Sequence, residues 1–337
     1  MTSLSEPAAA WTGDVLIVHG FLHNNRTGPV TLAYRPATDN WVTLPARPAA
    51  RPGLEDRDVA VWTGSQLLML GPTSARFTPS TNNWQAIPPA TAPISTGVTA
   101  WTGRQVLSWG GVCCAGFSAD GLVYTPATNS WQAMPTAPLR LRRSAAGAWT
   151  GRELIVAGGY GGHFGSADTL TTFDDAAAYN PATRTWRSLP PMPIRREGAT
   201  ALWDGSEVLV LGGSAVAGGA GATLASGVAY NPTTNSWRSL PAMPFSRNYF
   251  AAVWTGRQVL VWGGFSGRPA ATIPPNGEAY DPSTNSWSAM PAAPLPGRAN
   301  PVAAWTGTSL VVWGGVDFRG QHETVYTDGA SYAPPAP

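Results

Sequence analysis

A stretch near one end of the chain, AAAWTGDVLIVHG, returns almost three hundred residues later as VAAWTGTSLVVWGG. Trp11, Trp62, Trp101, Trp149, Trp203, Trp254 and Trp305 each open a Trp-Thr-Gly or Trp-Asp-Gly, with a Gly nine positions after the Trp. In the first six units a Tyr or Phe follows, and a second Trp stands seven residues beyond it: Tyr34 and Trp41, Phe77 and Trp84, Tyr124 and Trp131, Tyr179 and Trp186, Tyr230 and Trp237, Tyr280 and Trp287. Seven units in 337 residues give a period of about 48, which is the signature of a repeat architecture. A chain that repeats itself in this way buries its apolar faces between neighbouring units.

The unit spanning residues 247–294 shows what is repeated. Arg247–Trp254 reads as a strand, Thr255-Gly256 as a tight turn, and Arg257–Trp262 as a second strand rich in β-branched and aromatic residues. Gly277–Asp281 is a third strand. Pro282 to Asn285 form a turn in which Asn tolerates a left-handed backbone, and Trp287–Met290 is a fourth strand. We call these strands a, b, c and d. No segment has helical periodicity, and 38 Gly with 32 Pro punctuate the chain. Four short antiparallel strands repeated seven times predict an all-β, seven-bladed β-propeller in one domain. Its repeats are expected at 1–48, 49–92, 93–138, 139–193, 194–244, 245–294 and 295–337. The last unit stops after its strand c, at APPAP, so blade 7 is expected to have three strands and an unpaired outer edge blunted by proline.

All 16 Trp stand in repeat register: seven open the a–b turn, six lie on strand d, and Trp109, Trp262 and Trp313 precede the Gly pair after strand b. They are therefore read as wedges between blades. His19 takes the slot of Trp109 and Trp262 and is read as a packing variant.

Composition removes several functions. All 21 basic residues are Arg, so Schiff-base lysine chemistry and a P-loop lysine are excluded. The arginines are spread over the repeats and form no basic stripe, so no nucleic-acid partner is expected. There is no apolar run long enough for a membrane helix. The N-terminal segment lacks the pattern of a secretory signal; the chain is expected to be cytoplasmic or a trimmed exported domain, and monomeric. Cys113 and Cys114 are adjacent and cannot staple distant segments.

The Gly pairs after strand b (110–111, 158–159, 212–213, 263–264 and 314–315), followed by Tyr and by Trp seven residues later, resemble the Kelch repeat over almost the whole chain. The resemblance, to bacterial and galactose oxidase-like propellers, implies the fold. It leaves the function open between scaffolds, ligand-binding domains, oxidases and sugar isomerases. The two-Tyr, two-His and Tyr–Cys set of the copper oxidases does not align here, and no cofactor is expected.

Spacing indicates the working face. The a–b and c–d connections have constant length, whereas the opening Trp and the strand-c aromatic are 23, 15, 23, 30, 27, 26 and 27 residues apart through the seven repeats. Variable loops on a rigid scaffold carry function, so binding is expected on the face of the b–c and d–a loops, with entry over the short loop of blade 2. His23, His163, Asp120, Asp168, Asp174, Asp175, Asp317, Arg319, His322 and Glu323 all fall in these loops.

Seven residues before each opening Trp stand Leu4, Glu55, Ile94, Arg142, Arg196, Arg247 and Arg298. The four arginines are read either as clamps between blades or as a half-ring of guanidinium groups for an anionic or hydroxylated ligand. Asn248, Tyr249 and Asn300 lie beside them, and Glu55, Asp56 and Asp58 are expected to face them across the mouth. The reading that follows is a scaffold that binds a protein or a small carbohydrate-like ligand, more a binding module than an enzyme. The other reading is a carbohydrate-active isomerase of the sialic-acid mutarotase type, in which a carboxylate moves the proton. His23, His322, Asp317 and Glu323 are minor candidates for a metal site.

Overall fold

The computed structural model describes residues 4–22, 29–48, 58–71, 73–92, 96–113, 116–162, 170–217, 220–267, 273–274, 276–317 and 324–335. Their strands form seven antiparallel sheets arranged as a β-propeller: six four-stranded blades and a three-stranded blade 7. Blade 1 is built from Leu4–Trp11, Leu16–Leu22, Pro29–Arg35 and Asn40–Thr43 as strands a to d. Blade 7 has Val302–Trp305, Leu310–Trp313 and Gly329–Tyr332.

Every strand a packs on the strand a of the next blade, and that of blade 7 packs on that of blade 1, so the strands a line the axis of a closed ring. Closure is made by side chains. Val302, Ala304, Val311 and Trp313 of blade 7 bury against Leu16 and Val18 of blade 1, and Trp41 stacks on Trp313 at 5.2 Å. In blades 2 to 6 the strand-d Trp is fixed differently: its indole N–H donates to a proline carbonyl of the preceding blade, as Trp237 does to Pro190 at 2.8 Å. The strand-c aromatic lies beneath it, with Tyr230 and Trp237 at 5.1 Å. The core is therefore distributed in the clefts between blades, with b strands such as Leu209–Leu211 fully buried.

The turns explain the repeated letters. Thr255 Oγ1 accepts from the Gln258 amide at 2.9 Å while Gly256 takes φ 92°, which a side chain would strain. Asn235 and Asn285 adopt φ near 50° in the c–d turns, and each accepts the hydroxyl of its own strand-c Tyr.

Two expectations are corrected by the structure. Strand a is shorter than its sequence pattern: in blade 6 it is Ala251–Trp254, because Tyr249 turns the backbone to φ 51°. The variable b–c connections are also more ordered than loops. Blades 4, 5 and 7 carry two-stranded ribbons, Tyr160–Gly161 with Thr171–Thr172, Ser214–Ala217 with Ala220–Thr223, and Val316–Asp317 with Thr324–Val325. Blade 3 instead extends its own b and c strands to Cys113 and Gly116.

Candidate functional site

The chain enters each strand a from the loop face, and its three entry positions have separate tasks. The first holds the clamp. Arg142, Arg196, Arg247 and Arg298 are 0% exposed, and each donates through Nη1 to the carbonyl of the first Gly of its blade's pair, 16 residues on: Gly158, Gly212, Gly263 and Gly314 at 2.8–3.1 Å. In blades 3 to 6 the second Gly of the pair holds the next blade, as Gly213 N–H donates to the Arg247 carbonyl at 3.0 Å. A Cβ on Gly212 would lie 2.4 Å from that same carbonyl oxygen, which explains the glycine.

Each guanidinium also meets the mouth of strand c. Arg142 pairs with Asp175, Arg298 with Asp328 at 2.7 Å, and Arg247 with the buried Glu278 at 2.9 Å. Among the described residues Arg196 has only Ser226 and carbonyls as partners, and burial lowers its pKa to about 10. Of the two roles offered by the sequence, this geometry is that of the clamp. The guanidinium groups are enclosed, and of the two positions that follow, exposure ranges from buried Ala299 to exposed Tyr249 and Asn300.

In blade 1 the third position, Glu6, lies within the strand, whereas in blades 3 to 7 it is left-handed: Thr96, Ser144, Gly198, Tyr249 and Asn300 have φ between 50° and 59°. Backbone amides link these residues from blade to blade around the axial mouth. Ser144 N–H donates to the Thr96 carbonyl at 3.1 Å, Gly198 to Ser144 at 2.9 Å, and Asn300 to Tyr249 at 2.8 Å. Tyr249 is half exposed and leans toward Gly198, whose missing side chain leaves room for the ring. Asn300 is exposed beside it.

The second position varies in chemistry: Arg143, Glu197, Asn248 and Ala299. Each is fixed by a bridge to the residue after its blade's Gly pair, namely Tyr160, Ser214, Phe265 and Val316. The Arg143 guanidinium lies over the rings of Tyr160 at 5.4 Å and Phe117 at 6.0 Å, a cation–π arrangement that spans blades 3 and 4. Glu197 is partly buried in the next blade; burial raises its carboxyl above the usual range, and the charge of Arg143 opposes that rise. Asn248 donates to Ser214 Oγ at 2.9 Å, and its buried Oδ1 has no hydrogen-bond partner among the described residues. The mouth thus joins a stacked guanidinium, a carboxyl able to hold its proton more readily than usual, amides and a phenol on a rigid ring.

Sequence reasoning named Asn248, Tyr249 and Asn300 but passed over Arg143 and Glu197. Their signal was positional: both directly follow a clamp arginine.

Asp58 requires a correction. It does not face the mouth; its side chain is 2% exposed and pairs with Arg47 at 2.6 Å. His19 also lies against that carboxylate, at 3.4 Å. His19 is buried, contacts Thr31 Oγ1 through Nδ1 at 2.8 Å, and is shifted down chiefly by burial, as suits a packing residue. Glu55 and Asp56 lie outside the described residues, as do His23, His163, Asp168, Arg319, His322, Glu323 and Cys114. Asp317 is paired with Thr324 on the blade 7 ribbon. Among the described residues no cluster of His, Cys, Asp and Glu is arranged to hold a metal, and no helix is long and apolar enough to cross a membrane.

Residues 141–193, 195–244 and 246–294, which form blades 4 to 6, match the Kelch motif. No curated protein matches the chain. Blades 4 to 6 are thus similar to three successive Kelch motifs, within a closed seven-bladed propeller.

Proposed function

We propose that the protein is a binding scaffold that takes its partner on the face of the b–c and d–a loops, at the axial mouth. A Kelch propeller supports protein binding in general terms; the face and the residues are inferred from chemistry. The observation that carries the reading is unmet polar capacity on a preorganised frame: the buried, unpartnered Asn248 Oδ1 beside a Glu197 carboxyl raised by burial. Buried polar groups are normally satisfied, and an exception at a rim points to a group supplied from outside. Arg143, Tyr249 and Asn300 add a planar cation, an aromatic surface and an exposed amide, a mixture suited to a polar peptide segment or a sugar. The clamp arginines act one layer below, as positioning residues.

Peptide display and a glycan array with purified protein test this reading. Selective binding that falls at least tenfold in Asn248→Ala/Tyr249→Ala, without turnover, is expected. Catalysed anomerisation of sialic acid, followed by NMR, would replace it with acid–base chemistry on a sugar acid.

A further inference from the structure

On the opposite face, between blades 1 and 2, lies a cavity of about 450 Å³. Its position can be compared with the same cleft elsewhere in the ring. Between blades 4 and 5 the cleft is filled by Arg187, which pairs with Glu153 of its own blade at 2.7 Å and reaches Asn235 and the Tyr230 hydroxyl of the next at 3.1 and 3.2 Å. Between blades 5 and 6, Arg238 repeats this with Glu207 at 2.6 Å and Asn285 at 3.2 Å. Between blades 3 and 4, Arg184 crosses to the Ala133 carbonyl at 3.1 Å.

In the blade 1–2 cleft, three of the four groups that fill the blade 4–5 cleft are replaced by apolar ones. Val42 stands where Arg187 stands, Val15 where Glu153 stands, and Phe77 where Tyr230 stands. Phe77 is the only strand-c aromatic without a hydroxyl. All three line the cavity, together with Leu44 and Trp62. Three concerted losses of polar groups around one space are a different matter from a single packing defect. Val42 is left 54% exposed at the opening, an unusual position for a valine with nothing over it.

Charge at the rim is internally balanced. Arg35 turns to Asp14 of its own blade at 2.7 Å, so neither end calls for a charged ligand. Thr38 and Asn40, also at the rim, offer neutral hydrogen-bonding groups. A space of this volume, with apolar and aromatic walls and a few polar groups at its mouth, has the dimensions of a small-molecule site. We propose that the cleft between blades 1 and 2 binds a small, uncharged, largely apolar molecule whose polar end meets Thr38 and Asn40. This site is independent of the axial mouth, on the other face of the ring.

The neutral fluorophore N-phenyl-1-naphthylamine is the probe. Its fluorescence should rise saturably at one site on the wild-type protein. Two variants fill the cleft in different ways: Val42→Trp, and Val15→Glu with Val42→Arg, which installs the ion pair of blade 4. Each should weaken probe binding at least tenfold while melting no earlier than wild type, and Asn248→Ala/Tyr249→Ala at the axial mouth should leave it unchanged. Failure of the wild type to bind saturably overturns the proposal. So does undiminished binding by either filled variant that retains its fold. Selection of aromatic peptides by a protein that ignores the fluorophore would overturn the small-molecule assignment.

Discussion

Arg196 donates through Nη1 to the carbonyl oxygen of Gly212 at 2.9 Å, and Arg142, Arg247 and Arg298 repeat the contact at the same 16-residue separation. Because the adjacent Gly213 amide grips the carbonyl of Arg247, each clamp both braces its own b–c corner and is held by the blade before it. The mouth of the propeller is therefore stiff where its polar side chains emerge.

Removing a clamp should cost stability first. Arg247→Ala leaves Glu278, 2% exposed, as a buried carboxylate without its cation, and a loss of about 3–5 kcal/mol is expected. Replacing both partners, Arg247→Met with Glu278→Leu, should recover much of it. Chemical denaturation of the single and double variants checks this; equal losses in both would show that the pair is not the source.

At the mouth, Thr96 is the least comfortable residue. It is β-branched at φ 58°, and its buried Oγ1 has no hydrogen-bond partner among the described residues. Thr96→Gly should therefore stabilise the fold by about 1 kcal/mol, through relief of left-handed strain and of an unmet hydroxyl. A lower melting temperature would contradict this.

Glu197 gives a pH dependence of defined sign. Burial raises its folded-state pKa, so its contribution to stability is full below the ordinary carboxylate range and is lost as pH rises through the raised value. Glu197→Gln should melt higher than wild type at neutral pH, with the difference shrinking in acid. Melting curves from pH 3 to 8 test it; a constant difference would exclude titration of this group as the cause.

Trp237 links two blades through Pro190 and Tyr230, yet is only partly buried. Its replacement by Ala should cost about 3 kcal/mol, the low end for a large aromatic truncated in a core. The axial mouth lies at the other end of the blade, so binding by the folded fraction should be retained. A variant that melts like the wild type would remove strand d from the account of blade packing.

The propeller was legible in the sequence because each letter of the repeat answers a backbone demand: Gly256 a positive φ, Asn285 a left-handed turn, Trp287 an inter-blade hydrogen bond to Pro241. The site was legible only in part. Asn248, Tyr249 and Asn300 were visible as polar residues near a periodic arginine, but the pattern does not say that the arginine turns inward while Tyr249 and Asn300 stay exposed. Arg143 and Glu197 vary from blade to blade and so carry no repeat signal. Asp58 misled for the converse reason: its partner Arg47 is near in sequence, yet nothing local shows that the two side chains meet. The blade 1–2 cavity required comparison of the same three positions across clefts, which gains meaning only once those positions are known to meet.

Binding measured with Asn248→Ala/Tyr249→Ala against Val42→Trp tests the central claim most directly, using a peptide or glycan selected by the wild-type protein. The two variants alter opposite faces of one ring and should melt within a few degrees of wild type. The account predicts at least a tenfold loss of affinity in the mouth variant and none in the other. Undiminished binding by a folded mouth variant would contradict it.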